Sequence, residues 1–116
     1  MRKKKQGKKF SRTRDQRKAL IKSLVSELFL RKRIKTTQEK AKELRRFAEK
    51  FLTKAKKGDL ATRRYLLKFL SEKVTKKLVD EIAPKMKSRK GGYTRIIKLL
   101  PRSSDGAKMV IIELIK

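Results

Sequence analysis

An α+β fold is what this sequence predicts, and three features predict it. Apolar residues recur at helical spacing through most of residues 13–82. Two later runs, Tyr93–Leu100 and Met109–Ile115, lose that spacing and are rich in β-branched residues. Between them lies turn chemistry, Pro101–Ala107, which contains Asp105-Gly106. The two runs therefore read as an antiparallel hairpin with a loop of about seven residues. At 116 residues, one domain is expected.

The elements follow in order. From about Thr13 to Leu30, the stripe Leu20, Ile21, Leu24, Val25, Leu28 and Phe29 predicts a first helix. A short extended segment follows at Arg33 to Thr36, where Ile34 and Thr36 are β-branched. Thr36 with Glu39 three residues on has the form of a capping box for a second helix. That helix has Ala41, Leu44, Ala48, Phe51, Leu52 and Ala55 on its apolar face, and Gly58 closes it. Asp59 is placed to cap a third helix with Leu60, Leu66, Leu67 and Leu70 inward. Ser71 is placed to cap a fourth with Val74, Leu78, Val79 and Ile82 inward, and Pro84 is expected to stop it. Residues 85–92 form a basic loop ending in two glycines.

Charge narrows the function. The chain has 38 Lys+Arg against 11 Asp+Glu, a formal net charge of +27. A small domain needs roughly 2–8 net charges for solubility. At physiological salt the Debye length is only about 8 Å, so neighbouring cations on so small a chain still repel. A polyanionic partner relieves that repulsion, nucleic acid first and anionic membrane second. The chain contains neither cysteine nor histidine. Disulfides, thiolate metal sites and Cys nucleophiles are excluded, and the commonest general base is missing. The adjacent acids Asp80 and Glu81 point about 100° apart on a helix, poor geometry for a shared metal or an acid–base pair. No apolar run approaches the roughly 20 residues of a membrane helix. No apolar region follows the basic N-terminus, so a soluble cytoplasmic protein without a secretory signal is expected.

Three constellations could carry binding. Residues 1–18 hold ten basic residues and one acid, Asp15, with Phe10 the one large apolar residue. Arg2, Lys3, Lys4, Lys5, Lys8, Lys9, Arg12, Arg14, Arg17 and Lys18 can neutralise phosphates and release counterions. The ordinary alternative is a solvated tail. The second constellation is Lys42, Arg45 and Arg46 at i, i+3, i+4, opposite the apolar face of the second helix. Arg63 and Arg64 open the third helix with no acid nearer in sequence than Asp59, and Lys35 sits in the extended segment. An ordinary solvated helix face is the competing reading. The third is Arg89, Lys90, Gly91, Gly92, Tyr93 and Arg95. Two glycines permit close approach to a phosphate backbone. Tyr93 could stack on a base or pack half-buried against the sheet. Neither a Walker nor a dinucleotide glycine pattern is present.

These motifs resemble the bacterial large-subunit ribosomal protein 17 family, from residue 1 to about 115. The most specific stretch is Ile34-Lys35-Thr36-Thr37 followed by Lys40-Ala41-Lys42-Glu43-Leu44-Arg45-Arg46. Arg89-x-Gly91-Gly92-Tyr93-Thr94-Arg95-Ile96 is the second. Met1-Arg2, Gly7, Arg12, Arg17-x-Ala19 and the closing Ile112-Glu113-Leu114 also agree. The family often has His at the positions of Lys3 and Gln16; lysine still meets a phosphate and glutamine still hydrogen-bonds. The resemblance implies a two-layer domain, about four helices on a small mixed sheet, with an extended basic N-terminal arm. The boundary falls between an arm of residues 1–12 and a globular domain of residues 13–116. The resemblance also implies binding to large-subunit ribosomal RNA on the solvent side near the polypeptide exit region, beside other ribosomal proteins. No cofactor, metal, membrane or small-molecule substrate is expected. The alternative is a nucleoid-type architectural DNA-binding protein, although no helix-turn-helix, zinc-finger or basic-zipper pattern is present. An RNA-modifying enzyme is disfavoured by the missing Cys, His and cofactor motif.

Overall fold

The computed structural model describes residues 14–115. Helix α1 spans Arg14–Arg31, strand β1 Arg33–Thr37, helix α2 Gln38–Ala55 and helix α3 Leu60–Leu67. Helix α4 begins at Glu72–Lys77 and continues without a break through a π-helical turn, Leu78–Ile82, into a last turn, Ala83–Lys85. Strands β2, Thr94–Lys98, and β3, Met109–Leu114, complete the fold. The α+β class and the order of elements are those expected from the sequence.

The sheet has the order β1-β3-β2. Both pairings are antiparallel, with Ile34 opposite Ile112 and Ile96 opposite the same residue. The expected mixed sheet is thus corrected to an antiparallel one. The direction is set by the registers, β1 running from Arg33 opposite Glu113 to Thr37 opposite Met109, while burial accounts for the order: β3, with its Met109-Val110-Ile111-Ile112 run, is the most apolar strand and takes the centre, between the two more polar strands. The connection from β2 to β3 runs from Leu99 to Lys108, longer than the turn core expected, and Arg102 and Ala107 close it through a backbone hydrogen bond of 2.8 Å.

The helices lie on one face of this sheet. Thr36, Thr94, Val110 and Ile112 point into the core, whereas Lys35, Arg95 and Ile97 stand on the open face. Helix α2 touches α1, α3, all three strands and the π-turn, which makes it the central element. Its Ala41, Ala48 and Ala55 recur every seven residues and are fully buried or nearly so. Small side chains there let neighbouring elements approach closely, and Leu44, Phe51 and Leu52 fill the remaining space. Ile21, Val25, Leu28 and Phe29 of α1 complete the core from the other side.

Caps confirm some boundaries and move others. Asp59 Oδ1 accepts from the Thr62 amide at 2.9 Å, and Ser71 Oγ accepts from the Val74 amide at 3.3 Å, as the sequence predicts. The cap of α2 is Thr37 rather than Thr36, its Oγ1 accepting from the Lys40 amide at 3.4 Å. Thr36 is a buried strand residue, and the third helical position falls on Lys40, so the Thr36–Glu39 capping box does not form. The end of α2 also shifts: its C-cap is Lys56, and Gly58, with φ +65°, follows two residues later. At the end of α1 a lysine does what glycine usually does. Lys32 takes φ +71°, its amide bonds Leu28 and its carbonyl accepts from the Leu114 amide, which docks β1 beside β3 at once.

Pro84 does not stop α4. The π-turn before it widens the helix, and the Ala83 amide reaches back to the Leu78 carbonyl. That register shift lets the proline ring enter the final turn without the steric clash a regular α-helix would impose. Leu60 and Leu67, expected inward, are 63% and 47% exposed. Helix α3 is short and buries only the row Thr62, Leu66 and, beyond its end, Leu70, so residues one step off that row face outward.

Candidate nucleic-acid interface

Arg2, Lys3, Lys4, Lys5, Lys8, Lys9 and Arg12 lie outside the described residues. The other candidate cations fall on three surfaces. On the first, Arg14 and Lys18 are exposed and Arg17 half-buried at the start of α1, while Lys42, Arg45 and Arg46 are exposed along α2. Helix α1 packs on α2, and this brings Arg17 and Lys18 to the same cavity as Glu43, the ion-pair partner of Arg46. Helical spacing alone could not show that, because it relates residues only within one helix.

This cavity, of about 480 Å³, lies between the first turns of α1, the middle of α2 and residues 68–70. Arg17, Lys18, Lys22 and Lys68 line it together with Phe47 and Phe69. Nothing in the sequence singles out Lys22 and Lys68. Each is an ordinary surface lysine within its own segment and gains significance only where the segments meet. Arg46 Nη1 lies 3.4 Å from Oε1 of the buried Glu43, an ion pair within α2.

The second surface surrounds the loop after α4. Arg89 and Lys90 are exposed there, and Gly91 and Gly92 take φ +148° and +62°, conformations that favour glycine. Arg89 Nη1 donates to the Gly92 carbonyl at 3.4 Å, a local tie within the turn. Lys56, at the end of α2, holds the loop down: its Nζ donates to the Arg89 carbonyl and, at 3.0 Å, to the Tyr93 hydroxyl. The same ammonium sits 5.1 Å from the Tyr93 ring centroid. Tyr93 is 1% exposed, so the base-stacking alternative gives way to a structural one. The hydrogen bond from Lys56 holds the Tyr93 pKa below its ordinary value, against the opposing effect of burial.

Glu49 anchors the following strand. Its Oε2 accepts from the Thr94 amide at 3.0 Å and from the Thr94 hydroxyl at 3.1 Å. Glu49 and Lys56 thus stand about two turns apart along α2 and fix consecutive residues, Thr94 and Tyr93. Neither is legible in the sequence, because the bonded residues stand 45 and 37 positions apart and leave no periodic signal.

Arg63 and Arg64 differ more than their adjacency suggests. Arg63 pairs with Asp80 at the π-turn, an acid 17 positions away that the folding of α4 brings closer than sequence distance suggests. Arg64 is exposed. Arg63 also lines a shallow notch with Lys56, Lys57 and Lys87, close to the glycine loop.

The third surface is the open face of the sheet. Lys35 is exposed, and Arg95 makes a two-point contact with Glu113, both nitrogens 2.7 Å from Oε2. Arg33 lies 3.7 Å from the other oxygen of Glu113. Exposed pairs of this kind contribute about 0–1 kcal/mol, so they orient Arg95 more than they stabilise the fold. Among the described residues no cluster of His, Cys, Asp and Glu could hold a metal ion, and no helix is long and apolar enough to cross a membrane.

Comparison with known proteins adds to this geometry. Residues 20–115 match the family model described as ribosomal protein L17. A Thermoanaerobacter protein named large ribosomal subunit protein bL17 is 54% identical over 108 residues, covering 92% of this chain and 96% of that protein. Its namesake from Clostridium acetobutylicum is 51% identical over 108 residues, with 92% and 95% covered. The one from Natranaerobius thermophilus is 50% identical over 110 residues, with 94% and 97% covered.

Proposed function

The chain belongs to the ribosomal protein L17 family, and on that premise we infer that it is a structural constituent of the large (50S) ribosomal subunit. It binds and stabilises the RNA of that subunit, supports translation and resides with the subunit in the cytoplasm. The observation that carries this reading is identity of about half over nearly the full length of relatives named as large-subunit proteins. The role is structural rather than catalytic, and the partners are ribosomal RNA and neighbouring ribosomal proteins.

The residues divide the work. Residues 1–12 serve as a basic arm that threads between RNA helices, and residues 13–116 serve as the docking body. On the body, Arg14, Arg17, Lys18, Lys42, Arg45 and Arg46 form one phosphate-contacting side, a reading supported by the packing of α1 on α2 and by the exposure of all of them but the half-buried Arg17. Arg63, Arg64, Arg89 and Lys90 form a second, with Gly91 and Gly92 allowing the backbone to approach. Lys35 and Arg95 contribute from the sheet. Tyr93 supports the loop from beneath. Each neutralised phosphate releases counterions, so affinity falls with salt, and recognition is of RNA shape and backbone.

Sucrose-gradient fractionation of native extract tests the assignment. The protein is expected with 50S particles, and its absence from them overturns the reading. Deleting residues 2–12 is expected to weaken binding to transcribed large-subunit RNA and to lower the salt slope by about 0.7–0.9 for each phosphate no longer neutralised. An unchanged slope removes the arm from the interface. Equal affinity for random duplex DNA and ribosomal RNA at matched salt would favour the architectural DNA-binding alternative.

A further inference from the structure

Building on the RNA-binding reading, we propose that the cavity between α1, α2 and the α3–α4 junction receives one unstacked guanine base of ribosomal RNA. Its volume of about 480 Å³ falls within the usual size range of small-ligand pockets. Its walls are aromatic. Phe51, 5% exposed, lies at the base of a chain of rings, 6.4 Å from Phe47 and 5.6 Å from Phe69. Tyr65 braces Phe69 from 5.2 Å, and Lys54 sits over Tyr65 at 4.7 Å. Phe69 nevertheless remains 41% exposed. A ring held by two others, with surface still open, is a ready stacking platform for a planar base.

A carboxylate gives the pocket its selectivity. Glu43 lines the cavity and is 6% exposed, unusual for a glutamate on so basic a surface. Its bond from Arg46 is long, 3.4 Å, and involves one oxygen. A carboxylate accepts several hydrogen bonds and donates none. Guanine alone presents two adjacent donors, its ring N1–H and its exocyclic amine, on the Watson–Crick edge. Adenine and cytosine place an acceptor nitrogen beside the amine, which the carboxylate repels. Uracil offers one donor flanked by two carbonyls.

The rim matches the rest of a nucleotide. Arg17, Lys18, Lys22 and Lys68 line the cavity and suit the phosphates on either side of an inserted base. The same cations disfavour the chain's own basic arm as the occupant, because like charges would be brought together.

The test uses the full chain and two fluorescein-labelled ribopentanucleotides, UUGUU and UUAUU, by anisotropy at one low salt concentration. Binding to transcribed large-subunit RNA is measured in parallel. UUGUU is expected to bind about tenfold more tightly than UUAUU, within the range of one well-made base contact. Glu43→Gln is expected to abolish that preference while sparing UUAUU binding. Phe69→Ala is expected to weaken UUGUU by about tenfold, the loss of one stacking partner. Neither variant should change the salt slope on the long RNA, because neither removes a cation that meets a phosphate. Equal affinity for the two pentamers with long-RNA binding intact overturns the pocket and spares the parent reading. Loss of long-RNA binding by the unmodified chain overturns both. Should Glu43→Gln fail the circular-dichroism check of folding, the exposed Phe69→Ala substitution decides alone. A nuclear Overhauser contact between Phe10 and Phe69 that persists in saturating UUGUU would assign the cavity to the arm and overturn the proposal.

Discussion

Replacing Glu49 by alanine is expected to destabilise the fold by about 2–4 kcal/mol, the cost of stranding buried polar groups. The perturbation is local and its targets are known. Thr94 is 2% exposed and opens the edge strand β2. Its amide and its hydroxyl both donate to the same oxygen of Glu49, at 3.0 and 3.1 Å. With alanine at position 49, both donors lose that acceptor. A buried unsatisfied donor costs roughly 1–3 kcal/mol, and bonds to a charged acceptor lie at the upper end of the range. The hydroxyl can rotate toward another acceptor, whereas the amide is fixed by the strand, so the amide carries the larger share. For a chain near this length the change corresponds to a fall in Tm of roughly 10–20 °C. Urea unfolding followed by far-UV circular dichroism measures it, with an unchanged m-value as the check that only stability moved. Thr94→Val removes the hydroxyl and keeps the amide bond, and its cost is expected near 1 kcal/mol, about that of one ordinary hydrogen bond. A Glu49→Ala protein within about 0.5 kcal/mol of the parent, the range of an ordinary surface change, would show that Glu49 does not anchor the strand.

Two further outcomes follow from local geometry. Gly58 holds φ +65° with open space where a Cβ would stand, so Gly58→Ala is expected to cost about 1 kcal/mol through the backbone alone. Gly58→Asn should cost less, and equal urea midpoints for glycine and alanine would show that the turn does not require the left-handed conformation. The side-chain hydrogen bonds from Arg102, with a further one from the Ala107 amide, lower the Asp105 pKa from 3.8 to about 2. Because the folded value is the depressed one, this carboxylate's stabilising contribution is present above about pH 4 and is lost as pH falls toward about 2. Carboxyl-carbon NMR titration should find that low midpoint and see it return toward 3.8 in Arg102→Ala, and a midpoint unmoved by that substitution would remove the arginine as the cause.

Much of the architecture is written in local patterns. The stripe on α1, the alanine-rich face of α2 and the Asp59 and Ser71 caps are readable because each depends on residues within a turn or two of one another, and the C-terminal hairpin because its two strand-like runs flank a turn signal. The boundary errors share a cause. Thr36 and Thr37 are equally good caps by composition and both pair with β3; the burial of Thr36 in the core leaves the Thr37 hydroxyl to accept from the Lys40 amide. Pro84 reads as a stop until the π-turn before it shifts the register. Leu60 and Leu67 read as core until α3 proves too short to bury more than one row.

At the candidate interface, residue order alone establishes that the chain is basic, which helix face carries Lys42, Arg45 and Arg46, and that a Gly-Gly turn interrupts a cationic loop. These are properties of composition and of single-element geometry. Which cations are neighbours, and which are already engaged, is settled only when the elements pack. Packing pairs Arg63 with Asp80 and Arg95 with Glu113, draws Tyr93 inward beneath Lys56, and closes a cavity from α1, α2 and the α3–α4 junction. Those outcomes arise between residues distant in sequence. Periodicity is blind to them, because it registers only which way a side chain points from its own element and not what it meets there.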